Sequence, residues 1–328
     1  MALTLLYLTL VLVSETTASI ETFEGWLKLH EKEYEAEQRE VRQAIWQDNV
    51  RYVEEYNKRQ TGVVLQINQF GDLTSSEFRA LRTRKLTRNL DENVREFKPP
   101  VDGVVPDTKD WREENVVTPV KNQGDCGACY AFSAVSVMSS MLAIKTGELV
   151  PLSEQQVVDC SGPWGDNGCD GGAPQNVFHY AHETAGLERN TDYPYTGTVG
   201  SCTANYSLAV AQVDSIQSIK KYSEQDLKWA VGMIGPVSVG VDAGERSFQF
   251  YKSGVYSDPM CITARIDHAV VVVGYGTTDK GADYWIVKNS WGVEWGIQGY
   301  FWLARNKQNM CGVASQAVFP FVSLRIPS

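Results

Sequence analysis

Along residues 21–57 apolar positions fall at helical spacing, first Trp26, Leu29 and Tyr34, then Val41, Ile45, Trp46, Val53 and Tyr56. Set among many charges, that spacing predicts helices with one apolar face and a broad solvated one. Residues 63–70 read as a short strand and residues 75–81 as a short helix. A cationic stretch over residues 79–95, with Arg82, Arg84, Lys85 and Arg88, runs into Lys98-Pro99-Pro100 and Pro106. This is the composition of an exposed linker, the kind of segment that proteases cut. Beyond it the pattern changes. Residues 129–145 form a small and apolar run that stops before Gly147, which predicts a buried helix. Ser153-Glu154-Gln155-Gln156 is a capping box that opens a second helix, and Pro174 starts a third that stops at Gly186. After one more helix, opened by Ser223, the signals are those of strands: Val237, Val239 and Val241 alternate, and residues 269–273, 284–287 and 299–303 are β-rich. A helical half followed by a sheet half is an α+β arrangement, whose natural ligand site is the cleft between the two.

Length and composition narrow the class. The 328 residues allow about two compact units. With 43% hydrophobic and 21% charged residues the chain is neither disordered nor fibrous. Its 30 basic against 40 acidic residues run opposite to the basic footprint of a nucleic-acid binder. The one long apolar run, residues 4–13, is too short to span a bilayer, and Thr16-Thr17-Ala18 behind it fits a cleavage site. The expectation is a secretory signal peptide over residues 1–18, a front segment over 19–104 and a body over 105–328, with no membrane span.

Seven cysteines are present, none in the first 125 residues. In an oxidising compartment an odd count implies three bridges and one remaining thiol, the first candidate for chemistry. The densest constellation is Asn122-Gln123-Gly124-Asp125-Cys126-Gly127-Ala128-Cys129-Tyr130-Ala131-Phe132. A thiol at the first turn of a buried helix feels the positive end of the helix dipole, which favours the nucleophilic thiolate. A redox Cys-x-x-Cys would want a βαβ context, and a zinc site a second close pair; neither pattern is here. A thiolate enzyme also needs a base. His30 lies in the front segment, and His179 and His182 share a helix face, whereas His268 opens a strand in the sheet half. Lys288-Asn289-Ser290-Trp291-Gly292 follows, with Asn289 placed 21 residues after His268. An amide oxygen that accepts the imidazole N–H fixes its tautomer and aims the other nitrogen at the sulfur, and Trp291 is suited to cover that bond.

These segments resemble the papain-like cysteine proteases, nearest the cathepsin L group, and the resemblance extends through Asp110-Trp111-Arg112, Gly168-Cys169-Asp170-Gly171-Gly172 and Met310-Cys311-Gly312. The front segment is similar to the family's inhibitory propeptide. Its spaced helix pattern appears as Gln38, Arg42, Trp46, Asn49, Val53 and Asn57, and a shorter pattern as Gln66, Asn68, Phe70 and Asp72, with Gln66 where glycine is usual. Ala128 and Tyr130 stand where serine and tryptophan are common beside the nucleophile.

The resemblance implies a two-lobe fold, a helical lobe plus a β-barrel-like sheet lobe, behind a helical propeptide. It implies an acid-activated zymogen of a cysteine endopeptidase, with Cys129, His268 and Asn289 catalytic and Gln123 in the oxyanion hole. Substrate-binding positions carried over are Gly171, Gly172, Ala173, Pro174, Gly240, Ile266, Trp291 and Gln316. Bridges would run Cys126–Cys169, Cys160–Cys202 and Cys261–Cys311. No metal or organic cofactor is implied. The implied partners are protein and peptide substrates, the chain's own propeptide and cystatin-type inhibitors, with the protein in the secretory pathway, lysosomal or extracellular. Acid is expected to loosen the block by protonating carboxylates such as Asp72. Asn205-Tyr206-Ser207 is one acceptor for N-glycosylation. The rival class is a silent protease homologue acting as a binding or inhibitory protein.

Overall fold

A computed structural model describes residues 22–83, 86, 94–101 and 103–325. The signal segment, Arg84, Lys85 and Arg88 lie outside the described residues. In chain order the helices and strands are α1 (Phe23–Leu29), α2 (Ala36–Asn57), β1 (Val64–Leu65), α3 (Ser75–Arg82), β2 (Arg95–Glu96), β3 (Lys109–Asp110), α4 (Cys129–Thr146), α5 (Glu154–Cys160), α6 (Pro174–Glu183) and β4 (Ala211–Ser218). They continue with α7 (Glu224–Met233), β5 (Val237–Val241), α8 (Arg246–Gln249), β6 (Tyr251–Ser253), β7 (Val255–Tyr256), β8 (His268–Thr277), β9 (Asp283–Lys288), β10 (Tyr300–Ala304) and β11 (Ala317–Leu324).

The front segment is built on α2, whose buried residues Trp46, Asn49, Val53 and Tyr56 lie on one stripe. Trp46 joins Phe23, Trp26 and Leu27 of α1 in a small core of its own, while Val53 and Tyr56 belong to the core of the body. Two expectations change here. The strand foreseen over residues 63–70 shrinks to β1, which pairs antiparallel with β6, because beyond the Gln66 amide, bonded to the Phe250 carbonyl, the Asn68 side chain takes over from the ladder. The linker is likewise not wholly exposed. β2 pairs parallel with β4, and Phe97 packs on Trp229 and Phe319, while Val101 and Val104 are apolar side chains left bare.

In the body, α4 is buried along almost its whole length and packs on α5 and α6 on one side and on β8 and β11 on the other. It ends at Gly147, whose φ of +79° is the left-handed cap that glycine adopts without strain. Among the described residues it is the helix long and apolar enough to cross a bilayer, and it lies inside the fold. The box at Ser153 is half formed. Ser153 accepts from the Gln156 amide, but the Gln156 side chain turns away to donate to the Tyr180 hydroxyl and the Gly186 carbonyl. The sheet half is a nine-stranded sheet in the order β2-β4-β11-β5-β8-β9-β10-β7, with β3 on β8. This sheet lobe faces the helical lobe across α4, and both α4 and β8 begin at the same end of the cleft.

Candidate active site

Cys129 is the first residue of α4, so the unpaired amides and the positive end of an 18-residue helix face its sulfur. The turn before it is fixed by the Cys126–Cys169 bridge and by the Gly127 amide, which donates to the Cys169 carbonyl at 2.8 Å. Cys126 is therefore not available to Cys129, which is the one free cysteine among the described residues and is buried. The other bridges are Cys160–Cys202 and Cys261–Cys311.

His268 opens β8, next to Ala269, whose backbone hydrogen-bonds the thiol. The β8–β9 register, in which Val271 faces Lys288, carries His268 opposite Trp291 when continued. The two rings stack with centroids 4.6 Å apart. Asn289 lies one residue past β9. Its Oδ1 is 2.8 Å from His268 Nε2 and also accepts from the Ser290 amide at 2.8 Å, which fixes that atom as the oxygen. Nε2 therefore carries the proton, and Nδ1, which has no hydrogen-bond partner among the described residues, is the nitrogen left for the sulfur. Gln123 is fully buried: Ser290 Oγ donates to its Oε1 at 2.6 Å, and its Nε2 donates to the Cys126 carbonyl at 2.9 Å, leaving one amide N–H uncommitted. Ser290 is a positioning residue that sequence reasoning passes over, although it lies between two residues singled out.

Burial dominates the electrostatics. It pushes the Cys129 thiol up to about 12, against the Ala269 hydrogen bond, and the His268 imidazole down to about 4, against the bond to Asn289. In this closed form burial works against both charges, thiolate and imidazolium alike, because neither has water to solvate it.

The front segment packs around this site. Phe70 and Phe78 meet Trp291 edge-on at 5.8 and 5.2 Å, and Gln69 donates to the Trp291 carbonyl at 2.8 Å. From α3, Arg79 donates to the Gly244 carbonyl on the sheet side at 2.6 Å, and Arg82 reaches Asp125 on the other side at 2.8 Å. Further on, Gly240, Ile266 and Gln316 converge. A methyl group built on Gly240 would lie 2.4 Å from Ile266 Cγ2, 3.1 Å from Leu86 Cδ1 and 3.5 Å from Gln316 Cβ, so Leu86 of the front segment is the side chain seated at that pocket. Gly171, Gly172, Ala173 and Pro174 stand on the other lobe at the entry to α6, tied to the Cys129 turn through Cys169. Asn205 is exposed, and its Oδ1 accepts from the Ser207 hydroxyl at 2.7 Å.

Comparison with known proteins agrees in both parts of the chain. The papain family cysteine protease profile matches residues 105–321, and the cathepsin propeptide inhibitor domain matches residues 23–78. Procathepsin L of Rattus norvegicus is 42% identical over 305 residues, covering 91% of each chain. A cathepsin L-like proteinase of Fasciola hepatica is 43% identical over 305 residues, covering 91% of this chain and 92% of its own. The solved structure of digestive procathepsin L2 proteinase from Tenebrio molitor larval midgut superposes with a TM-score of 0.86 at 35% identity, over 92% of this chain and 99% of that one. This chain belongs to the papain family of cysteine proteases and is a cathepsin L-like zymogen that carries its own inhibitory propeptide.

Proposed function

We propose that the chain is an endopeptidase that hydrolyses peptide bonds through Cys129, His268 and Asn289 and is released from its propeptide by acid. The observation that carries this is the 2.8 Å bond from His268 Nε2 to Asn289 Oδ1 beside a helix-terminal thiol. Once the front segment leaves, water reaches the pair, and the proton of Cys129 Sγ passes to His268 Nδ1. The thiolate attacks the scissile carbonyl, and the developing oxyanion is held by the free Gln123 Nε2–H and the Cys129 backbone N–H. The imidazolium protonates the departing amine; the imidazole then takes a proton from water, which hydrolyses the thioester and regenerates the thiol.

The domain limits proposed are a signal over residues 1–18, the propeptide over 19–104 and the protease over 105–328, with cleavage near Val104, which is 87% exposed. The secretory route, a lysosomal or extracellular destination, cystatin-type inhibitors and a glycan on Asn205 belong to the same reading. The test is a variant series on the acid-matured protein. Cys129→Ala and His268→Ala should each lower kcat by about 10⁴-fold or more, with Asn289→Ala milder because orientation is lost before reactivity. A Cys129→Ala enzyme that turns over like wild type would exclude the mechanism.

A further inference from the structure

Asp166 is 6% exposed, yet no charged side chain faces it among the described residues. α4 presents the Tyr130 phenol, the end of α5 presents Ser161, and α6 presents Asn176. Asp166 Oδ1 accepts from the Ala173 amide at 2.9 Å and from Asn176 Nδ2 at 3.0 Å, tying the first turn of α6 to the loop before it. The Ser161 hydroxyl is committed to the Val157 carbonyl at 2.7 Å, and Asp166 Oδ2 is buried without a hydrogen bond. The carboxyl group also backs directly onto Gly172: a methyl built there would come within 2.3 Å of Asp166 Oδ1 and 2.8 Å of Tyr130 Cδ2.

We propose that Asp166 is a positioning residue that holds the Gly172–Ala173 wall of the substrate cleft, and that it does so best as the neutral acid, so that peptide binding at this wall weakens from acid to neutral pH. This rests on the proposed peptidase function and on Gly172 and Ala173 lining its cleft. As a neutral acid the group keeps both bonds to Oδ1, and its Oδ2–H becomes a donor beside the Ser161 oxygen. As a carboxylate it is a buried charge without a counter-ion, which the amide of Ala173 and the N-terminus of α6 offset only in part. Burial raises the group from 3.8 to about 6, against the hydrogen bonds it accepts from Ala173 and Asn176. The raised value sets the sign. The folded state binds its proton more tightly than the unfolded one, so stability is lost as pH rises from about 4 to about 6 and then levels off.

The experiment compares wild type with Asp166→Asn, which keeps an acceptor for Ala173 and cannot ionise. In the acid-matured enzyme, KM for a peptide with Leu at the second position before the scissile bond should rise about threefold in wild type between about pH 5 and pH 7. Asp166→Asn should stay flat in KM, with kcat of the two following the same pH profile. Melting of the two zymogens, which needs no activity, should give a gap that widens in favour of the Asp166→Asn variant over the same rise from about pH 4 to about pH 6. Parallel KM profiles, or a melting gap independent of pH, would overturn the assignment. Failure to hydrolyse any peptide would instead overturn the proposed function, and the melts would still decide the role of Asp166.

Discussion

Arg246 Nη2 donates to Asp48 Oδ2 at 2.6 Å, and the same guanidinium gives Asn49 Oδ1 bonds of 2.6 and 3.1 Å and lies 4.3 Å from the Tyr52 ring centroid. One protease side chain therefore reads three positions on a single face of α2. Asn49 in turn donates to the carbonyls of Gly71 and Leu73 at 2.8 and 3.0 Å, which shape the segment that enters the cleft. Arg246→Ala should leave the mature enzyme's kcat unchanged and weaken inhibition by added propeptide about tenfold, the loss of roughly 1.4 kcal/mol of charge-assisted bonding. Inhibition curves that superpose would show that the contact contributes nothing.

The proposed acid release would act through the groups with displaced pKa values at this interface. His30 Nδ1 lies 3.4 Å from Glu294 Oε2 of the protease, and burial lowers the histidine from 6.5 despite that neighbour. A lowered histidine holds its neutral form when docked, so docking stability falls as pH drops below 6.5 and stops falling once the docked group is protonated. The bond to Arg246 lowers Asp48 from 3.8, so its contribution is full above that value and is lost only in stronger acid. Asp48 is largely exposed and counts for about 0.5 kcal/mol after screening. At mildly acid pH the histidine therefore acts and Asp48 does not. His30→Gln should shift the midpoint of acid maturation down by about half a pH unit, read from the rate of propeptide loss across a pH series. An unchanged midpoint would remove His30 from the trigger.

If Gly240, Ile266 and Gln316 line a substrate pocket as proposed, Leu86 seated there shows the kind of side chain it would take. With no charge at Gln316, burying an arginine there costs desolvation that an amide oxygen does not offset. kcat/KM should be at least about tenfold higher for peptides with Leu or Phe than with Arg at the second residue before the cut, and Gln316→Glu should raise the Arg value selectively. Preference of the wild type for Arg, or no response to the variant, would show that Gln316 does not line the pocket. Leu86→Glu, made in the zymogen, should hasten maturation at neutral pH for the same reason.

Whatever a local pattern encodes is legible in the sequence. The small and apolar run over residues 129–145 is long, so α4 stands out, and Val237, Val239 and Val241 give β5. The strands β4 and β11 do not stand out. Pro320 argues against an interior strand, and the structure accommodates it because β5 pairs with β11 only at Ala317 and Val318, leaving the edge beside Pro320 free. The capping box at Thr74 and Glu77 is hidden in a short polar stretch and escapes notice as well. Gln66, where glycine is usual, sits without a positive φ, and its amide donates to the Phe250 carbonyl at 2.9 Å, so glycine's freedom is not required there. Gln38, the other departure in the helix pattern, is exposed. At the site, His268, Asn289 and Trp291 are legible because an antiparallel register brings them together. Leu86 and Asp166 are not, since what each touches depends on how distant segments cross.

Burial pushes the Cys129 thiol up in the zymogen, so Cys129 is expected to become a nucleophile only after the propeptide leaves. The direct measurement is labelling of the zymogen and of the acid-matured protein with a peptidyl epoxide, followed by mass mapping of the modified residue. One equivalent of label is expected on Cys129 in the matured protein, abolished in His268→Ala, and almost none in the intact zymogen at neutral pH. Equal labelling of both forms, or a matured protein that takes no label at Cys129, would contradict it.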